Sequence, residues 1–90
     1  MRFLVSAFID NATIPKVRNT LELMKPKIKK YRMKRLQAYG KPYIRFSGVF
    51  TSSVKPTSIK TMLGKTGHVS WFSAISSARL VNHYLKQASF

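Results

Sequence analysis

The apolar residues of this chain recur with two different periods, and the changes of period mark out a series of candidate elements. Arg2 to Ile9 (RFLVSAFI) is short, rich in Phe, Val and Ile, and bounded by Asp10 and Asn11, which is how a buried strand reads. Ile14, Val17, Leu21 and Met24 then follow at three- and four-residue steps and form the stripe of an amphipathic helix. Asn11 or Thr13 supplies its N-cap, Pro15 sits near the first turn where a missing N–H costs little, and Pro26 ends or kinks it. Tyr43 to Phe50 (YIRFSGVF) alternates cleanly, with Ile44, Phe46, Gly48 and Phe50 on one face and Tyr43, Arg45, Ser47 and Val49 on the other. A short helix from Thr57 or Ser58 to Leu63 stops at Gly64 and Gly67. His68 to Ile75 (HVSWFSAI) reads as another strand, with Val69, Trp71, Ser73 and Ile75 opposite His68, Ser70, Phe72 and Ala74, and Trp71 is expected in the core. Ser76 or Ser77 caps a last helix whose stripe is Ala78, Val81, Tyr84, Leu85 and Ala88.

The segment from Lys27 to Tyr39 fits neither period well. As a helix it puts Ile28, Arg32, Leu36 and Tyr39 near one face and stops at Gly40. As a strand it sets Tyr31, Met33, Arg35, Gln37 and Tyr39 against Arg32, Lys34, Leu36 and Ala38. A strand beginning near Tyr31 is favoured. The resulting order predicts an α+β fold: one small domain over residues 1–90, with an antiparallel sheet of three to four strands and two main helices. A split βαβ arrangement of ferredoxin-like outline is the simplest that fits. The rival is a kinked basic helix from Thr13 to Tyr39, which would leave three strands.

Charge changes this picture more than composition does. The hydrophobic fraction of 44% supports a compact core, but 17 Lys and Arg stand against two acids, Asp10 and Glu22, for a net charge of +15. Such an excess works against the compact state unless a polyanion neutralises it. It is matched by the phosphates of about seven or eight base pairs, at one per roughly 1.7 Å of duplex. The densest run, KPKIKKYRMKRLQAYGKPYIR from Lys25 to Arg45, contains no acid and interleaves Tyr31, Tyr39 and Tyr43 with its cations. The candidate nucleic-acid contacts are therefore Lys25, Lys27, Lys29, Lys30, Arg32, Lys34, Arg35, Lys41, Tyr43 and Arg45. Pro26 and Gly40 divide the run, so its densest charge, Lys27 to Arg35, is expected on one phosphate-facing element, with Tyr43 and Arg45 on the next strand. The segment GKPYIRFSGVF is similar in part to the aromatic-bearing strand of the RNA-recognition fold. Pro42, Ile44 and Arg45 interrupt the glycine–aromatic core of that pattern, which leaves a generic α+β sheet as the stronger reading.

Other chemistries lack material. There is no cysteine, and His68 and His83 have only two acids in the whole chain to join them, so no metal site, cofactor or catalytic group is expected. Leu63-Gly64-Lys65-Thr66-Gly67 contains the tail of a phosphate-loop signature, but Ile59 occupies the place of its first glycine. Lys65 is retained as a secondary phosphate contact within a polar turn. No cleavable targeting signal is evident, since Phe3 to Ile9 is too short and is followed by Asp10.

These features predict a non-enzymatic RNA-binding structural subunit of a ribonucleoprotein. A ribosome is the favoured setting and a mitochondrial one a candidate, with rRNA and neighbouring proteins as partners and no small-molecule substrate. The alternatives are a free-standing single-strand or genome-binding protein of viral or phage type, and a basic peripheral subunit of a membrane-associated complex. The last is disfavoured because neither main helix pairs a broad apolar face with a basic one.

Overall fold

The computed structural model describes residues 2–24 and 27–87. In chain order they form β1 (Arg2–Asp10), α1 (Ile14–Glu22), β2 (Ile28–Ala38), β3 (Lys41–Thr51), α2 (Pro56–Gly64), β4 (His68–Ile75) and α3 (Ala78–Lys86). The strands make one antiparallel four-stranded sheet in the order β2-β3-β1-β4. Each of the units β1-α1-β2 and β3-α2-β4 is split by a strand of the other, so the fold is α+β with a ferredoxin-like outline, extended by α3.

Pleating decides what lies on each side of the sheet. Val5, Ala7 and Ile9 of β1 and Ile44, Phe46 and Phe50 of β3 are wholly buried on one face, against Val17 and Leu21 of α1 and Ile59 and Leu63 of α2. The opposite face is covered only in part: α3 lays Val81 and Tyr84 on Val49, with Leu4 and Leu85 at the margin. β1 and β3 are central, and their residues read almost as the sequence patterns predict.

Local chemistry sets the ends. Thr13 caps α1, its Oγ1 accepting from the Lys16 N–H at 3.3 Å, while Asn11 takes a left-handed turn conformation (φ 61°) that its short polar side chain tolerates. The helix is finished by Glu22, and Met24 stays buried by turning back, its N–H on the Leu21 carbonyl at 2.9 Å. Pro26, expected to stop the helix, lies outside the described residues, as does Ala88. Lys27 to Tyr39 resolves as the extended β2, longer at its start than predicted, and the kinked-helix alternative is not what forms. A two-residue hairpin joins it to β3, with Tyr39 (φ 53°) and Gly40 (φ 76°) both left-handed, the geometry that matches strand twist. Ser77 is the cap of α3, accepting from Leu80.

Two departures from strict alternation matter. In β4, Phe8 pairs with Trp71 while Ile9 pairs with Val69, so Ser70 is an extra residue in the ladder. This bulge puts Val69 on the core side with Phe72 and Ala74, and leaves Trp71 on the partly open face at 47% exposure. The expectation of a core Trp71 is thus corrected, because a single unpaired residue reverses the faces on either side of it. In β2, a second irregularity between Ile28 and Lys30 sets the register of the cationic strand.

Close approach explains Gly67. A Cβ there would lie 2.4 Å from the Asp10 carbonyl oxygen and 3.1 Å from Ile9, whereas Gly64 at the end of α2 has open space around it. Gly67→Ala should therefore destabilise the fold by about 1–3 kcal/mol, since backbone must move. Gly64→Ala should be neutral or stabilise by up to ~1 kcal/mol through helix propensity and the unfolded state. Urea unfolding of the two variants checks the contrast.

Candidate nucleic-acid interface

The strand registers arrange the partly open face as rows running across the sheet from β2 to β4. Lys30, Val49, Leu4 and Ile75 form the first row, and Arg32, Ser47, Ser6 and Ser73 the second. Lys34, Arg45, Phe8 and Trp71 form the third, and Leu36, Tyr43, Asp10 and His68 the fourth. Because α3 rests on Val49 and Leu4, it covers the middle of the first row and borders the second, leaving the third and fourth uncovered along with Ile75.

What holds α3 there is a relay of hydroxyls and cations. Arg32 Nε donates to Ser47 Oγ at 3.3 Å, Ser47 Oγ lies 3.2 Å from the Tyr84 hydroxyl, and that hydroxyl donates to the Ser47 carbonyl at 3.0 Å. The Arg32 guanidinium also sits over the Tyr84 ring, 4.8 Å from its centroid, and Lys30 Nζ is 5.9 Å from the same centroid. Lys30 Nζ donates in addition to the Gln87 carbonyl at the end of α3. Burial pushes the Tyr84 hydroxyl above the ordinary tyrosine value of 10.0, and the Ser47 hydrogen bond and the Arg32 charge pull it part of the way back.

The uncovered rows combine aromatic rings with an excess of cations over the single acid Asp10. Phe8 stands between Tyr43 and Trp71, with ring centroids 5.7 and 5.1 Å away, so three side chains from β3, β1 and β4 form one aromatic strip. Beside it Lys34 and Arg45 are directly opposite each other on adjacent strands, and both are exposed. Like charges so placed repel, and an anion above them removes the penalty. Asp10, two residues past Phe8 on β1 and opposite Tyr43 and His68, accepts from the Ser70 hydroxyl at 3.2 Å.

No protein-family model matches the chain, and no curated protein matches it in sequence. Among solved structures, the C-terminal domain of a cyclometallase involved in the synthesis of the NPN cofactor of lactate racemase, in apo form, superposes with a TM-score of 0.61 at 8% identity, over 82% of this chain and 52% of that one. A formyltetrahydrofolate deformylase from Pseudomonas putida gives a TM-score of 0.51 at 11% identity, over 86% of this chain and 29% of that one. The chain thus spans about half the length of the first and under a third of the second. At these identities the likeness is one of fold alone.

The candidate contacts read from the sequence do not stay together. Lys34, Lys41, Tyr43 and Arg45 come to the partly open face, with Lys41 at its hairpin end. Lys30 and Arg32 share that face but are engaged with α3. Arg35 pairs with buried Ile44 and so projects to the other side, beside the start of α1. Lys29 falls at the β2 irregularity, Lys27 precedes the strand, and Lys25 lies outside the described residues. The single phosphate-facing element expected over residues 27–35 is therefore divided by the pleat between two faces. The tyrosines divide as well: Tyr31 stacks on Phe46 in the core (centroids 6.3 Å), Tyr39 is fully exposed at the hairpin tip, and Tyr43 joins the aromatic strip.

Residues 63–67 act as a helix ending. The N–H groups of Lys65 and Thr66 turn back to the Met62 and Leu63 carbonyls, and buried Thr66 donates its hydroxyl to Leu63 at 2.7 Å. Only the exposed Lys65 side chain is left for an anion, away from the strip. Among the described residues no group of three or more His, Cys, Asp or Glu could hold a metal ion. Phe8 and Trp71, absent from the sequence-derived contacts, carry two of the three aromatic rings. The spacing of Val69 and Phe72, three apart and both apolar in an otherwise alternating strand, was the available signal of the bulge.

Removing the Tyr84 hydroxyl tests the relay. Tyr84→Phe should cost about 0.5–1.5 kcal/mol, the net worth of its hydrogen bonds, and should raise amide exchange in α3 before the rest of the fold. The neutral phenol is favoured in the folded state, so its contribution is complete below pH 10 and lost as pH climbs through the raised folded-state value. An absorbance titration should show one phenol ionising above the ordinary range, absent in Tyr84→Phe.

Proposed function

We propose that this protein is a non-catalytic RNA-binding subunit of a ribonucleoprotein, and that it lays a single-stranded RNA segment over the Tyr43–Phe8–Trp71 strip. The observation that carries this reading is the third cross-sheet row, where the unneutralised pair Lys34 and Arg45 continues into Phe8 and Trp71. Rings offer stacking surfaces to unpaired bases of any identity, and adjacent cations take the phosphates. The neighbouring row supplies the hydroxyls of Ser6 and Ser73 at the distance of one sheet repeat, about 7 Å, where ribose hydroxyls can meet them. A ribosome, including a mitochondrial one, is the assembly such a small basic chain suits, with rRNA as the ligand. Arg35 and Lys65, away from this face, and the exposed Lys29 at the β2 irregularity are available to further RNA or to neighbouring proteins of the assembly.

A second reading is supported by β4. It is an edge strand with no Lys, Arg, Asp or Glu, in a chain of net charge +15, and Trp71 and Ile75 are exposed along it. The opposite edge, β2, is guarded by Lys29, Lys30, Arg32, Lys34 and Arg35, the usual defence against strand addition. An unguarded edge suits a free-standing binder that coats a single strand by self-association. Sedimentation of the purified protein with and without RNA separates the two: one copy per short strand fits the subunit, cooperative multimers fit the coating protein.

Binding to single-stranded RNA should weaken with salt with a log–log slope of about −2 to −4, as three to five open-face cations release counterions. A slope near zero would sink the proposal. Phe8→Ala and Trp71→Ala should each cost about 1–3 kcal/mol of affinity for single strands. Lys34→Gln with Arg45→Gln should weaken binding well beyond Lys29→Gln with Arg35→Gln; equal losses in a fluorescence-anisotropy assay would show that this face is not the main contact.

A further inference from the structure

Between α3 and the sheet lies a cleft of about 260 Å³, lined by Ser6, Arg32, Lys34 and Arg45 from the sheet and by Leu80 and His83 from the helix. We infer that this cleft receives the terminal phosphomonoester of a bound RNA strand, so that the protein binds strand ends in preference to strand interiors. The inference rests on the reading of the sheet face as an RNA surface and adds to it which part of the strand is held.

Three features point to a phosphorylated end. The cleft brings together the cations of Arg32, Lys34 and Arg45, and neither acid of the chain lines it. A phosphomonoester carries about −1.5 to −2 charges against −1 for an internal diester, so it draws more from such a cluster. The cleft also has a wall. α3 covers the Val49 and Leu4 row, so a strand that stacks on Phe8 and Tyr43 and runs towards the helix meets Leu80 and His83 instead of continuing along the sheet. Its volume falls below the roughly 300–1,000 Å³ of a drug-sized site. That size suits a phosphate with its ribose.

Lys34 and Arg45 are shared by the cleft and the third row, so the phosphate and the aromatic strip are neighbours, and the first base of the strand falls on Phe8. Arg32 keeps its contacts with Ser47 and Tyr84 and presents its charge to the cleft from that position. Either strand end brings the same dianion; the geometry names the chemical group, and the ends are separated by experiment.

The test uses the full chain and one short single-stranded RNA sequence in four forms: 5′-phosphorylated, 3′-phosphorylated, hydroxyl at both ends, and circular. Anisotropy titration should give about tenfold tighter binding for one phosphorylated form than for the dihydroxyl or circular ones, the value of added charge-assisted hydrogen bonds. His83→Glu and Leu80→Glu, at exposed positions of α3, should each erase that preference while the circular form still binds. Equal affinity for all four forms, or a preference that survives both variants, overturns the inference and leaves the sheet reading standing. Failure of every form to bind overturns the sheet reading and the inference with it.

Discussion

Seventeen cations and two carboxylates have to be accommodated in a chain of 90 residues, and most of the architecture follows from how that is done. Salt bridges can absorb only a small part of the excess, because the acids are too few. The buried core is accordingly built from hydrophobic residues, with Thr66 the buried polar residue among those described. Where cations must lie near the interior, they are offered to ring faces and carbonyls: Arg32 and Lys30 lean on Tyr84, and Lys30 reaches the Gln87 carbonyl. Such contacts satisfy donors without cancelling charge. The net charge of +15 therefore stays uncancelled, and an external anion gains from each cationic patch it covers.

The docking of α3 then decides which patch is organised. Without it the partly open face would be a uniform sheet surface mixing Leu4, Val49, serines, aromatics and cations. With it, Val49 and Leu4 are covered and the aromatic–cation rows are left open. The same Ser47 that orients Tyr84 also accepts from Arg32, so the anchor of the helix and a cation of the cleft belong to one hydrogen-bond network. A change that loosens α3 must alter the charge distribution beside the strip.

The element order, the α+β class and the faces of β3 were legible in the sequence, because that strand buries one face and a register slip would expose all of it. Thr13 and Ser77 were readable as caps for the same local reason that they work. The candidate site was legible only in part. Lys34, Lys41, Tyr43 and Arg45 follow from composition and alternation, and the strand pattern already sets Arg35 opposite Lys34, but it does not say which of those two sides faces the core. It reveals still less that Lys30 and Arg32 meet a tyrosine more than fifty residues away in sequence. Phe8 and Trp71 were missed because one reads as core by its neighbours, and the other changes face through a bulge that only the pairing with β1 makes visible.

The dimensions of the strip limit how bases meet it. Neighbouring ring centroids are 5.1 and 5.7 Å apart, close to the strand spacing of about 4.8 Å that sets them. Insertion of a base between two rings needs roughly twice the 3.4 Å stacking distance of nucleic acid, so no base enters between Phe8 and either neighbour. In the proposed binding mode a base would instead rest on the outer surface of the strip, where Trp71, the most exposed of the three, offers the largest platform at the edge of the sheet. A contact of this kind reads few bases and tolerates any sequence. Under the proposal its discrimination would come from where the strand can run, a course limited by α3, which packs on the first row to one side of the strip.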